Sequence, residues 1–258
     1  HGAPLPPWVR QIHVHAALVG GVTQMILGGF LALMPLSHPP GSTRQDSQLP
    51  AFLALNIGTV AMLVGFWLHH YQVVGAAGVL VGVACVWMAH VAWSRSSHNA
   101  PSNWNQWYYA VAFLALFGGL AFGEMLAFGL IPESYGHLRI AHIHLGLIGF
   151  AIVVILGAIV ILLPTVLNTS GSSPTLKQPA LILMLLGIAA LIGGFLNVSV
   201  TIQLVAGGLL FAGGALYTVN LFRAWMGSPH NGNAASDHLL IGLFFLLFTI
   251  VLGILVGV

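Results

Sequence analysis

Long apolar stretches alternate with short polar breaks along the whole chain. Runs of about 20 apolar residues match the hydrocarbon thickness of a bilayer when wound as helix. Eight such spans are expected, at 10–36, 50–71, 73–94, 106–131, 137–165, 179–200, 202–223 and 236–258. The breaks carry turn chemistry: Pro39-Pro40-Gly41-Ser42, Ser96 to Asn103, Ile131-Pro132-Glu133-Ser134, Asn168 to Pro174 and Gly227 to Asn233. Those near 72 and 201 are so short that tight helical hairpins are expected. The runs are too long and too evenly apolar for the alternation of a membrane barrel.

The polar positions inside the runs recur. A shift of 129 residues lays Arg10 on Arg139, His13 on His142, His15 on His144, Leu18 on Leu147 and Gly20 on Gly149. It also matches Ile26-Leu27-Gly28 with Ile155-Leu156-Gly157, Leu33 with Leu162, Pro35 with Pro164, Pro50 with Pro179, Gly58 with Gly187 and Gly65 with Gly194. Apolar similarity alone does not keep His, Gly and Pro in one ungapped register. The expected fold class is an all-α membrane protein of eight transmembrane helices, built as two parallel four-helix repeats, 1–131 and 132–258, forming one integral membrane unit. Repeats that start on the same side are related by an axis along the membrane normal, and ligands favour the repeat interface.

Composition sharpens this picture. The 258 residues are 58% hydrophobic and 4% charged, with mean hydropathy +0.98, whereas a soluble domain is about 25% charged. A soluble globular protein, a disordered chain and a nucleic-acid binder are excluded, and a net charge of +2 says nothing about partners. An even number of spans puts both termini on one side, here side A, with Arg10 and Arg139; side B holds Arg44, Arg95, Lys177 and Arg223. The positive-inside rule then makes side B cytoplasmic and both termini extracytoplasmic. The chain opens on His1 rather than Met, so it is read as processed or cut from a longer protein. No charged-then-apolar signal segment precedes the first span.

Histidine is the unusual residue: 13 of them outnumber the 10 charged side chains. His13-Val14-His15 and His142-Ile143-His144 open spans 1 and 5 near side A. On a helix, positions i and i+2 point about 200° apart, so one His of each pair faces inward. Polar groups within a bilayer are costly and turn to the bundle interior. Imidazole ligates metals and haem iron, and two imidazoles at matching depth on facing helices suit a b-type haem. His13, His15, His142 and His144 are therefore the candidate haem ligands, for one haem or two. The plainer alternative is a set of interfacial side chains bonded to headgroups or carbonyls. Side A also gathers His69, His70 and His137, candidates for copper, and Glu124, a candidate quinol or proton relay. His90, with His238, is a candidate quinone contact on side B. Cys85 stands alone, and without Cys-x-x-Cys-His a covalent haem is excluded. No phosphate-binding loop, zinc spacing or Ser/His/Asp set is present.

Several motifs bear a resemblance. His15 to Gly28 (His-Ala-Ala-Leu-Val-Gly-Gly-Val-Thr-Gln-Met-Ile-Leu-Gly), His142 to Phe150 (His-Ile-His-Leu-Gly-Leu-Ile-Gly-Phe), Ile155-Leu-Gly157 and Leu163-Pro-Thr-Val-Leu167 resemble short, divergent members of the haem–copper oxidase subunit I superfamily. Val86-Trp-Met-Ala-His90-Val-Ala-Trp93 and Trp107-Tyr-Tyr-Ala-Val-Ala112 look like the multi-span membrane domain that accompanies copper-type nitrite reductases. The resemblance implies a membrane haem b protein that takes electrons from quinol. It would pass them to an extracytoplasmic copper or cytochrome partner, as a redox subunit of an oxidoreductase complex with other membrane subunits. Eight spans against the superfamily's twelve, with only His69-His70 echoing its copper histidines, leave two alternatives. One is a catalytic haem–copper reductase of NO or O2. The other is a copper or haem carrier, or a structural subunit.

Overall fold

The structure is a computed structural model that describes residues 6–33, 48–96, 104–168, 174–228 and 233–256. Among these residues every regular element is helical: α1 (Pro7–His15), a π-helical segment (Ala16–Thr23), α2 (Gln24–Leu33), α3 (Leu49–Trp67), α4 (Tyr71–Ser96), α5 (Trp104–Ala127), a 3-10 turn (Pro132–Ser134), α6 (Tyr135–His144), a second π-helical segment (Leu145–Ile152), α7 (Val153–Val166), α8 (Pro174–Leu196), α9 (Val200–Met226) and α10 (Ala234–Val256). They make eight helices long and apolar enough to cross a membrane, from Pro7–Gly29 to Ala234–Gly253. The chain is an all-helical, multi-pass membrane protein in composition and form. Exposed Phe244, Phe245 and Phe248 on α10 and Val79, Val83 and Val86 on α4 suit hydrocarbon rather than water. The loop histidines His38, His98 and His230, and His1, lie outside the described residues.

Local chemistry explains the helix ends. Pro7 and Pro50 occupy the first turns of α1 and α3, where a missing N–H costs nothing. Ser199 caps α9 by accepting the Ile202 N–H, and Asn233 caps α10 by accepting the Ala235 N–H at 2.9 Å. Polar side chains within the spans bond to their own helix or across to a neighbouring one. Thr59 donates to the Leu55 carbonyl at 2.7 Å, Thr218 to that of Gly214 at 2.9 Å, and Gln24 to Asn56 at 3.0 Å. That meets the requirement that polar groups in lipid find partners.

The chain divides into two compact units. Unit 1 is His1–Pro101 with Leu116–His142, and unit 2 is Ser102–Ala115 with Ile143–Val258. In unit 1, α3 and α4 form a tight antiparallel hairpin. Gly58 and Gly65 make it possible: a Cβ on either would meet the Val81 or Val74 side chain within 2.8–2.9 Å. The reversal runs through His69, whose φ is +59°, with the His70 N–H donating to the Gly65 carbonyl at 2.9 Å. In unit 2, α8 and α9 form the corresponding hairpin, through Gly187 against Leu210 and Gly194 against Gln203. Its reversal runs through Val198 at φ +53°, with the Ser199 N–H donating to the Gly194 carbonyl at 2.9 Å. Each of these features lies 129 positions from its counterpart, and so do the two π-helical segments.

Unit 2 is also tied by buried tyrosines. Tyr217 donates to the Leu156 carbonyl and Tyr108 to the Lys177 carbonyl at 3.2 Å, with their rings 5.9 Å apart. Gly157 gives Tyr108 and Tyr109 room to pack against α7.

Candidate cofactor site

Four helices contribute residues of unit 1 to the site. His15 is the last residue of α1, directly before the π-helical segment. His142 lies on α6, against Gly119 and Gly123 of α5. The two rings sit 6.2 Å apart, centroid to centroid, with planes only 19° from parallel. Phe66 of α3 packs beneath His15 at 4.7 Å.

Both rings are oriented from behind. Nδ1 of His15 contacts the Gln11 carbonyl at 2.8 Å, and Nδ1 of His142 the Gly119 carbonyl at 2.7 Å. A carbonyl only accepts, so each Nδ1 carries the hydrogen. In the neutral imidazole Nε2 then keeps its lone pair. This is the tautomer of a metal-binding histidine, with its second nitrogen tied to a backbone carbonyl. With both Nδ1 atoms tied back, His15 and His142 are the residues that would hold a haem iron or another imidazole-binding metal, their rings 6.2 Å apart.

His142 has its place because Gly123 has no side chain. A Cβ there would stand 3.0 Å from Cε1 and 3.1 Å from Nδ1 of the ring. The next residue, Glu124, turns toward α4 and rests against Gly78, where a Cβ would collide with the carboxylate Oε1. Its Oε2 is buried with no hydrogen-bond partner, and the same holds for Oε1 of Gln11.

The remaining candidates fall elsewhere. His13 is exposed on α1. His144 belongs to unit 2, where its ring packs on Phe195 at 4.6 Å, much as His15 does on Phe66. His69 and His70 are exposed in the α3–α4 turn, with the His69 ring edge-on to Trp8 at 6.3 Å, and His137 is half-buried on α6. Among the described residues no three His, Cys, Asp or Glu side chains assemble to hold a metal ion, so His69, His70 and His137 are not drawn into one ligand set. His90 and His238 are exposed on α4 and α10.

Sequence reasoning missed Gln11, Gly119 and Gly123. Gln11 lies one helical turn before His15, a spacing that flags it, but its contribution to His15 is a main-chain carbonyl that any residue supplies. The π-helical segments were also not foreseen. Such segments recur at functional sites, and here one starts immediately after His15 and the other immediately after His144.

The sequence matches no protein-family model and no curated protein, and the fold matches no solved structure.

Proposed function

We propose that this chain is a membrane electron-transfer protein made of two parallel four-helix repeats, holding b-type haem iron between His15 and His142. Haem iron, when bound, supplies a one-electron couple whose potential is set by its axial ligands and surroundings. The chain's own part is to fix both imidazoles by their Nδ1 hydrogens, keep the pair within apolar spans and seat His142 on Gly119 and Gly123. The observation that carries the reading is the near-parallel imidazole pair at 6.2 Å with both Nδ1 atoms held by carbonyls. The two-repeat reading is supported by the recurrence of the His, Gly, hairpin and π-helical positions at a spacing of 129. Electrons pass between quinol and an extracytoplasmic copper or cytochrome partner, the chain serving as a redox subunit beside other membrane subunits. The four-to-two charge count supports termini on the extracytoplasmic side.

The test is a dithionite-reduced minus oxidised visible spectrum of purified protein, with pyridine haemochrome quantitation. Sharp low-spin b-type bands are expected, lost in His15→Ala and in His142→Ala and retained in His90→Ala. A featureless spectrum refutes the haem reading. If metal analysis then finds one copper per chain, the same imidazoles belong to a copper carrier.

A further inference from the structure

The α8–α9 hairpin of unit 2 closes along one seam. Gly194 meets Gln203, Gly187 meets Leu210, and Gly213 meets Met184 and the Ala180 carbonyl. This spacing of three and four residues continues to Tyr217 beside Ala180 and to Asn220 beside Lys177, at the end farthest from the Val198 turn. The buried tyrosines fix the same level independently. Tyr108 donates to the Lys177 carbonyl at 3.2 Å, and its ring lies 5.9 Å from that of Tyr217, one turn before Asn220. Asn220 is 2% exposed, and its Nδ2 has no hydrogen-bond partner. A buried N–H of this kind costs free energy unless an acceptor reaches it. Lys177 is half-buried. The one acidic side chain of unit 2, Asp237, accepts from Trp225 and Ser236 instead. The hairpin itself needs neither donor, because unit 1 builds the same seam with Gln48 and Val91 at the matched positions.

We infer that Lys177 and Asn220 form a phosphate-binding site at the side B end of the α8–α9 hairpin, taking the phosphate of a phospholipid headgroup or a soluble phosphate. The site does not rest on the redox reading. An ammonium and an amide N–H both call for an acceptor, and the lysine charge makes an anion the preferred one. Lysine is a common phosphate partner, acting as a point charge. Lys177 lies in the first turn of α8, the level at which a bilayer presents its phosphates and a lysine stem can reach them. Exposed Ile182 on α8, with Val219 and Phe222 on α9, offers apolar surface to acyl chains below such a headgroup. Nδ2 of Asn220 is covered in the empty seam, so the flexible lysine stem is the moving part. It swings to the phosphate and lets an oxygen reach the amide.

The test is native mass spectrometry of the purified protein in detergent, with added phosphatidylglycerol, with diacylglycerol as the phosphate-free lipid, and with inorganic phosphate as competitor. One phosphatidylglycerol per chain is expected, held at least about tenfold more tightly than diacylglycerol. Lys177→Gln weakens it by about fivefold or more, and Asn220→Leu by about tenfold. Asn220→Asp keeps the shape but replaces the amide donor with a carboxylate, and it loses the ligand. Arg223→Gln, exposed on the same side, leaves binding unchanged. Displacement of the lipid by about 1 mM inorganic phosphate assigns the site to a soluble phosphate, and resistance to it assigns a headgroup. Equal retention of phosphatidylglycerol and diacylglycerol, with no binding of inorganic phosphate, overturns the inference and leaves ordered water as the partner of Asn220. Lys177 stands at the end of the seam, so Lys177→Gln does not open the core. A folded Lys177→Gln that binds phosphatidylglycerol and phosphate like wild type also overturns the inference, whether or not the Asn220 variants fold.

Discussion

Gly123→Ala is the substitution that most directly probes how His142 is held. The added methyl stands 3.0 Å from Cε1 and 3.1 Å from Nδ1 of the ring, tighter than ordinary carbon contacts, so the ring must give by a few tenths of an ångström. It cannot do so freely, because Nδ1 is anchored at 2.7 Å to the Gly119 carbonyl one turn away on the same helix. Moving the ring off Gly123 stretches that bond and turns the ring out of the orientation it holds beside His15. Loss of such an outer partner typically lowers metal affinity about 10–100-fold, or about 1.4–2.7 kcal/mol. Alanine in place of a helical glycine otherwise favours the helix by roughly 0.5–1 kcal/mol. The expected signature is therefore a split: haem affinity of the apo-protein, titrated by absorbance in detergent, falls about tenfold while its thermal stability holds or rises. Gly123→Val deepens the affinity loss toward a hundredfold. Gly28→Ala is the control, since no atom lies within 4 Å of a Cβ there, and it leaves affinity unchanged. Wild-type affinity and spectrum in Gly123→Ala would refute the assignment of His142 as a ligand held through this contact.

Three further outcomes are expected. Gly187→Ala places a methyl 2.8 Å from the Leu210 side chain and 3.0 Å from its backbone nitrogen, and it should destabilise the α8–α9 hairpin by about 1–3 kcal/mol, read as a lower unfolding midpoint in detergent; unchanged stability would count against this packing. Val198→Gly relieves a β-branched residue held at φ +53° and should raise the same midpoint, with strain of this kind costing about 1–3 kcal/mol, whereas a lower midpoint would show that the hairpin turn is held otherwise. His13→Cys, on a Cys85→Ser background that removes the buried thiol, should react with a membrane-impermeant maleimide added outside intact cells; labelling only after lysis would reverse the orientation given by the charge count.

Much of the fold is legible in the sequence because lipid imposes a coarse and repeated demand. The eight apolar runs all appear as helices, and the matched glycines at 58 and 187 and at 65 and 194 mark the two tight hairpins. The turns are less legible. The break expected near 72 lies at Leu68–His70, since the reversal uses His69 in a left-handed conformation where a glycine would have announced it. The equivalent reversal uses Val198, an even less expected residue. At the site, the His-x-His spacing shows that only one ring of each pair faces inward but not which. The structure joins the second histidine of α1 to the first of α6, a pairing of positions that the internal match does not equate. Gln11, Gly119 and Gly123 act through carbonyls and through missing bulk, neither of which leaves a chemical mark in the sequence.

The π-helical segment behind His15 carries a consequence of its own. In an uninterrupted α-helix the direction of every side chain is fixed by that of any other, at about 100° per residue. Eight residues of wider winding, Ala16–Thr23, break that lockstep. The upper turn, which aims His15, and the lower half, where Leu27 is buried, are free to answer to different neighbours. The span behaves as two short helices with separately set phases, joined by a fixed-angle coupling. Deleting a single residue within the coupling would return the span to one phase and swing the His15 ring off its partner without altering any residue that touches it.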